Sequence, residues 1–277
     1  MVRVTCVVDD AVERSSRYWG EHGLAFLIDT DSDRVLFDTG QSGTILLRNL
    51  KLLEVEPRSL DGIVISHGHY DHTGGLEALL EDLPSGTPLY ASPEVFRERY
   101  AIHDGEMEEV GPPLGREALA GRMSLRLHTD GQEIVPGMWT TGEIEDRPEQ
   151  EGSSPHHRMR EGGELVQDGY LDDMGVILAL DDGLALICGC CHAGLLNTLA
   201  HVEAIFEEPV KVIVGGLHLT GASTEALDHV CEELASRPAL RGVYPNHCTG
   251  EAAFVALTNA LGSDAVKPCP AGTVLEL

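Results

Sequence analysis

The run His67-Gly68-His69-Tyr70-Asp71-His72 packs three imidazoles and a carboxylate into six residues. Side chains alternate along an extended turn, so His67 and His69 point the same way, with Asp71 and His72 across the bend. Imidazole and carboxylate are ligand types that suit zinc, iron and manganese. Two histidines could hold one ion while Asp71 and His72 face a second. A pair of such ions activates water and holds the oxygens of a phosphate or carboxylate. A chance polar turn is the weaker reading, because the run follows a β-type stretch and leads into Gly74-Gly75 and a helical pattern.

The elements that must position these groups follow from periodicity and turn chemistry. Strand-like runs come first, at 3–8, 24–29 and 34–37, and a helical spacing of Ile45, Leu46, Leu50 and Leu53 covers 42–53. A short buried-type strand at 62–66 delivers the chain into His67, and a helix is expected from 76 to 82. Further strands are read at 88–91 and 123–128, with a helix at 93–100 opened by Pro93. Residues 103–115 show no period. Residues 143–173 are polar, rich in Gly and Glu, and contain His156-His157. A stretch this long without periodicity reads as a flap or insertion rather than a linker.

Order returns with strands at 175–180 and 184–187 around an Asp-Asp-Gly turn. Then come a helix at 195–206, a strand at 210–214, a helix at 223–235 capped by Ser223 or Thr224, a strand at 242–244, a helix at 251–261 and a strand at 273–275. The polar residues of interest recur at strand ends just before helices, where α/β folds bind ligands. His22, His103, His128, His201 and His229 fall outside that pattern and read as structural. His156 and His157 read as solvated or as part of a mobile flap.

Composition narrows the partners. The 277 residues carry 46 acidic against 19 basic side chains, a formal charge of -27. That balance opposes nucleic acid and anionic membranes as partners. Hydrophobic residues make up 42%, ample for a core. No long uncharged apolar run suggests a membrane span, and Met1-Val2-Arg3-Val4 enters a strand directly, which reads as no signal peptide. Seven cysteines in no regular framework read as reduced thiols in a cytoplasmic protein. Only three of the basic residues are lysines, a pattern shared by salt-adapted proteins and by acidic proteins of GC-rich genomes.

The His67–His72 run resembles the H-x-H-x-D-H signature of the metallo-β-lactamase-fold superfamily, and Phe37-Asp38-Thr39-Gly40 resembles its strand-end motif before the first helix. Four segments in order resemble the branch named for the dihydropterin–ribofuranosylaminobenzene phosphate synthases of methanopterin biosynthesis. They are residues 67–75, residues 189–194 with Cys191 for Ser, residues 215–219 with Leu217 for Phe, and His247-Cys248-Thr249-Gly250. The resemblance covers the chain almost end to end. It implies an α/β fold, a four-layer αββα sandwich of two mixed β-sheets flanked by helices. It also implies a single unit over residues 1–277 and a binuclear metal site on one edge.

By that resemblance His67, His69, Asp71, His72 and His247 are metal ligands. The family's separate middle histidine is not evident before Gly175, so Cys190, in the place of a bridging carboxylate, and His192 are the middle candidates. A small buried residue is the alternative for Cys190. Asp38 is expected to orient a ligand histidine through its other ring nitrogen. His218 is expected to face substrate or move a proton, with a further ligand or a structural histidine as the alternative, Thr249 and Gly250 to meet an anion at a helix start, and Glu143 to match the branch's T-G-E-I glutamate. Glu145-Asp146 replaces the usual proline after that segment, which counts against a direct role for Arg147.

The implied activity is that of a metal-dependent hydrolase or a pterin-type transferase releasing pyrophosphate, with Asp71 and His218 as catalytic candidates. The implied cofactors are two divalent ions, zinc first, with manganese and iron open. The substrate is expected to be a small, phosphorylated or otherwise anionic molecule, and homo-oligomerisation is left open. The rival from another class is a non-catalytic metal-binding or redox module on the same scaffold.

Overall fold

Alternating apolar side chains along the early strands generate two buried faces. In the computed structural model, which describes residues 1–277, Leu27 and Leu36 join one apolar cluster, while Phe26, Ile28, Val35 and Phe37 join another on the opposite face. Their sheet has seven strands, in the spatial order Val274–Glu276, Arg3–Val8, Ala25–Asp29, Arg34–Phe37, Gly62–Val64, Pro88–Ala91 and Ser124–Leu127. Pairing is antiparallel up to Arg34–Phe37 and parallel beyond it.

A second, six-stranded sheet runs Gly242–Asn246, Val210–Gly216, Gly183–Cys188, Val176–Leu180, Met138–Thr140 and Glu133–Val135. Its first three strands are parallel. Val176, Leu178, Ile187, Val212 and Val214 face the first sheet and fill the cluster between the two. Leu46 and Leu50 of helix Gly43–Leu52 and Leu76 and Leu79 of helix Leu76–Leu79 cover the outside of the first sheet. Helices Leu195–Phe206, Thr224–Ala235 and Glu251–Leu261 cover the second. Three apolar layers between four structural layers make this the expected αββα sandwich. Each fully buried Leu, Ile or Phe in them contributes roughly 1.5–3 kcal/mol. Ser42 and Ser223 cap their helices by accepting from Ile45 N and Ala226 N.

Two segments differ from the sequence expectation, and both concern the same place. Residues 93–100 are not a helix. A 3-10 turn, Pro93–Phe96, gives way to the strand Arg99–His103. The polar residues 143–173 hold an antiparallel hairpin, His157–Glu161 and Glu164–Gln167, which pairs with that strand. With Glu106–Glu109 they form a third sheet of four strands, beyond the two expected. The cause is Arg99. Its fully buried guanidinium donates to Asp168 and Asp172, at 2.9 and 2.7 Å, and this tertiary pairing overrides the local helical spacing.

Backbone strain gathers at the strand ends. Asp38, Cys191, His218 and His247 all take left-handed conformations, with φ of 59°, 61°, 44° and 46°. Non-glycine residues rarely do so unless the surroundings impose it. All four ends converge on one edge of the sandwich.

Candidate metal centre

The turn that opens the centre is held from beneath. Gly68 N donates to Asp172 Oδ2 at 2.7 Å, and Asp172 is itself clamped by Arg99. A Cβ on Gly68 would lie 2.1 Å from the Val95 carbonyl, so only glycine lets the turn sit this low. His67 and His69 are thereby raised on either side of a glycine bolted to the third sheet.

His67, His69 and His192 form one convergent group, their ligand atoms all within 4.8 Å of one another. All three are buried. His67 Nε2 and His69 Nδ1 face each other at 3.0 Å. His192 Nδ1 donates to the Gly152 carbonyl at 2.7 Å, which leaves its Nε2 as a bare lone pair. The Nε2 atoms of His69 and His192 are buried without any hydrogen-bond partner. Burial, reinforced by neighbouring imidazoles, pushes the pKa of all three well below the usual histidine value. Neutral, desolvated rings with orphaned nitrogens are what a cation with nitrogen ligands requires.

Asp71, His72 and His247 form a second group within the same limit of 4.8 Å. His72 Nε2 and His247 Nε2 lie 3.5 and 3.3 Å from Asp71 Oδ2. Burial opposes a proton on His72, but Asp71 and Asp38 outweigh it and raise its pKa. Burial likewise opposes a proton on His247, and hydrogen bonds with Asp10 and Asp71 raise it well above its usual value. Asp71 is held well below the carboxylate range by His72 and His247 against the effect of burial.

Asp38 orients both groups at once. His72 Nδ1 donates to Asp38 Oδ2 at 2.7 Å, and so does Ser66 Oγ. Ser66 Oγ in turn accepts from His67 Nδ1 at 2.8 Å. An ionised carboxylate only accepts, so the chain fixes both rings with Nε2 free toward the centre. Asp38 reaches this position because the strand Arg34–Phe37 ends in its left-handed turn.

Cys190 lies between the groups. Its sulfur is 3.3 Å from His72 Nε2 and falls within 4.8 Å of ring nitrogens of His67 and His72. Burial raises its pKa. The structure brings both Cys190 and His192 to the centre. Asp173 fastens their turn from behind by accepting from Ala193 N at 2.8 Å, and burial raises its pKa to about 6.

The remaining sequence candidates divide. His218 stands at the mouth, its ring centroid 4.3 Å from that of His192. Thr249 is buried and its hydroxyl accepts from Leu217 N at 3.1 Å, which ties it to the His218 turn. Gly250, with φ of 83°, starts the last long helix beside a cleft of about 540 Å³. Asp9, Asp10 and Glu251 also line that cleft, and their charges oppose an anion there unless cations offset them. Glu143 belongs to neither ligand group, and burial raises its pKa. Arg147 is occupied by the carbonyls of Ile144, Gly169 and Tyr170.

Two residues read as structural or solvated, His22 and His157, stand at the centre instead. His22 Nε2 lies 3.4 Å from Asp71 Oδ2, and its Nδ1 lies 2.9 Å from Asp10. Asp10 holds His247 Nδ1 from its other oxygen, also at 2.9 Å. His157 sits with its ring centroid 5.0 Å from that of His69, its Nδ1 3.0 Å from the Tyr170 hydroxyl. Tyr170 stacks on His192 at 4.1 Å. The signal for Asp10 was available, since it closes the strand-end run Val7-Val8-Asp9-Asp10. No local signal marked His22 or His157, because long-range pairing brings them in.

Residues 18–157 match the metallo-beta-lactamase superfamily. The chain is 30% identical over 264 residues to the 7,8-dihydropterin-6-methyl-4-(beta-D-ribofuranosyl)-aminobenzene-5'-phosphate synthase of Methanocaldococcus jannaschii, covering 90% of this chain and 88% of that one. Among solved structures, Tm1679, a metal-dependent hydrolase of the beta-lactamase superfamily, superposes with a TM-score of 0.85 and 27% identity over 100% of this chain and 99% of its own. The metallo-beta-lactamase fold protein YhfI from Bacillus subtilis shares the fold, with a TM-score of 0.61 and 12% identity over the full length of both chains. Motif order, sandwich and converging histidines agree with these matches: the chain belongs to the metallo-β-lactamase superfamily.

Proposed function

We propose that residues 1–277 work as one unit, a metal-dependent enzyme that holds two divalent cations and acts on a small anionic substrate. The observation that carries this reading is the pair of convergent ligand groups, one of them with buried ring nitrogens that have no partner within the chain. His67, His69 and His192 would hold one cation. Asp71, His72 and His247 would hold the other, with Cys190 within reach of both. Zinc suits this donor set best, ahead of manganese and iron. When bound, the cations lower the pKa of water toward neutrality and offset charge on phosphate or carboxylate oxygens.

The chain's own residues do the rest. Asp38 and Ser66 fix the ring orientations. Tyr170, stacked on His192, excludes water from one side. His218 is placed to hand a proton to or from substrate at the mouth. The charge of -27 makes extended polyanions such as nucleic acid poor substrates. The reduced thiols suit a cytoplasmic enzyme, and no helix is long and apolar enough to cross a membrane.

Two reactions fit. One is hydrolysis of a phosphoester or lactone. The other is transfer with pyrophosphate as leaving group, favoured by the 30% identity to a named synthase over 90% of this chain. Metal analysis with a turnover screen of phosphoesters, lactones and pterin pyrophosphates separates them. Two cations per chain are expected, falling below two in His67→Ala; unchanged stoichiometry would overturn the assignment. A loaded chain that turns over none of these substrates, and stays so in Asp71→Ala, would instead support a binding module.

A further inference from the structure

Two thiols from the ends of alternate strands of the second sheet meet beside the second ligand group. Cys190 follows the strand Gly183–Cys188, and Cys248 follows Gly242–Asn246. The strand between them, Val210–Gly216, ends in Gly216. A Cβ there would stand 2.7 Å from Cys248 Sγ, so the glycine leaves room for the sulfur. Ligand atoms of Cys190, His247 and Cys248 all lie within 4.8 Å of one another. The same limit joins Cys190 to His67 and His72.

We propose that Cys248, paired with Cys190, supplies a second thiolate to the cation position of Asp71, His72 and His247, which makes that position selective for thiophilic cations of the zinc class. This rests on the binuclear reading above. Cys248 Sγ already accepts an N–H from His218 at 3.3 Å, the contact an anionic sulfur would keep. Its contact with the Cys190 carbonyl, at 3.7 Å, is long and would not by itself hold the side chain in place. Thiolate ligands favour zinc, whereas manganese prefers carboxylate, carbonyl and water. His247 would then serve between a carboxylate on one side and a sulfur on the other.

Cobalt(II) titration of the metal-free chain tests this, because thiolate bound to cobalt gives intense near-ultraviolet charge-transfer absorption. Wild type is expected to take up two cobalt ions with that absorption. Cys190→Ser and Cys248→Ser should each lose part of it at full cobalt loading, and the double variant all of it. A Cys248→Ser spectrum equal to wild type at equal loading would overturn the inference. Two bound cobalt ions with no sulfur absorption would overturn it and leave the binuclear reading standing. Uptake of one ion or none by wild type would overturn both, and stoichiometry tells these failures apart. X-ray absorption of the zinc-loaded wild type needs no variant. Two sulfur scatterers per chain at about 2.3 Å are expected, and one or none would overturn the assignment of Cys248.

Discussion

The two ligand groups share a wall yet are built on opposite electrostatic plans. The first, His67, His69 and His192, is all nitrogen, buried, and kept neutral by desolvation. The second, Asp71, His72 and His247, is an ion-pair network with Asp10 and His22 on its rim. Two nitrogens of the first, Nε2 of His69 and of His192, are buried without partners in the chain. The second satisfies itself within the chain. A cation at the first would therefore meet nitrogens that nothing else in the chain satisfies, whereas a cation at the second would displace protons.

Asp71 is the one carboxylate among the six residues of the two groups. Asp71→Ala should weaken cation binding at the second position and spare the first, as read by isothermal titration. Activity should drop by about 100- to 10,000-fold, the range for losing a positioned acid–base or charge-stabilising group. Loss of both cations would show that the two positions are not separable. Arg99→Met attacks the first position from beneath. It leaves Asp168 and Asp172 buried and unpaired, which should cost about 3–5 kcal/mol in denaturant unfolding. It should also weaken cation uptake at the first position more than at the second, because Asp172 holds Gly68 between His67 and His69.

Asp38 and Ser66 provide a finer division. Asp38→Asn should weaken both positions by about 10- to 100-fold, since it orients His72 directly and His67 through Ser66. Ser66→Ala should weaken mainly the first. Equal losses at both positions in Ser66→Ala, read by isothermal titration, would mean that the hydroxyl serves Asp38 rather than His67.

The same contrast explains what the sequence revealed. His67 to His72 were legible because the chemistry lies within six consecutive residues. His192, Cys190, His218 and His247 were legible because each ends a buried β run whose apolar residues mark its direction. Asp38 was legible for the same reason. Residues 93–100 misled because Arg99, at a helix-compatible position, is drawn into a strand by carboxylates about 70 positions away, Asp168 and Asp172. The hairpin within residues 143–173 was hidden because its strands, HRMRE and ELVQ, carry few apolar side chains and gain their order by pairing with Arg99–His103. His157 arrives with that hairpin, so its place beside His69 could not be read locally. Cys248 stood next to a recognised histidine, but its sulfur meets Cys190 only once three parallel strands are in register.

In the metal-free chain protons take the place of cations. For the metal-free chain the two groups should pull stability in opposite directions around the unfolded histidine pKa of about 6.5. His67, His69 and His192 have depressed folded pKa values, so the unfolded chain binds their protons more readily. Their effect is a loss of stability as pH falls below about 6.5. His72 and His247 have raised folded values, so the folded chain binds their protons more tightly. Their contribution is fully present below about 6.5 and is lost as pH rises through the folded values. Asp71 does not interfere, because its depressed pKa confines its loss to pH below the carboxylate range. Urea midpoints of the metal-free chain across neutral pH should therefore fall on both sides, by up to roughly 1.4 kcal/mol per pH unit for each titrating ring. His192→Gln should flatten the acid limb and His247→Gln the alkaline limb. If either variant flattened the opposite limb, the assignment of one group to desolvation and the other to ion pairing would be reversed.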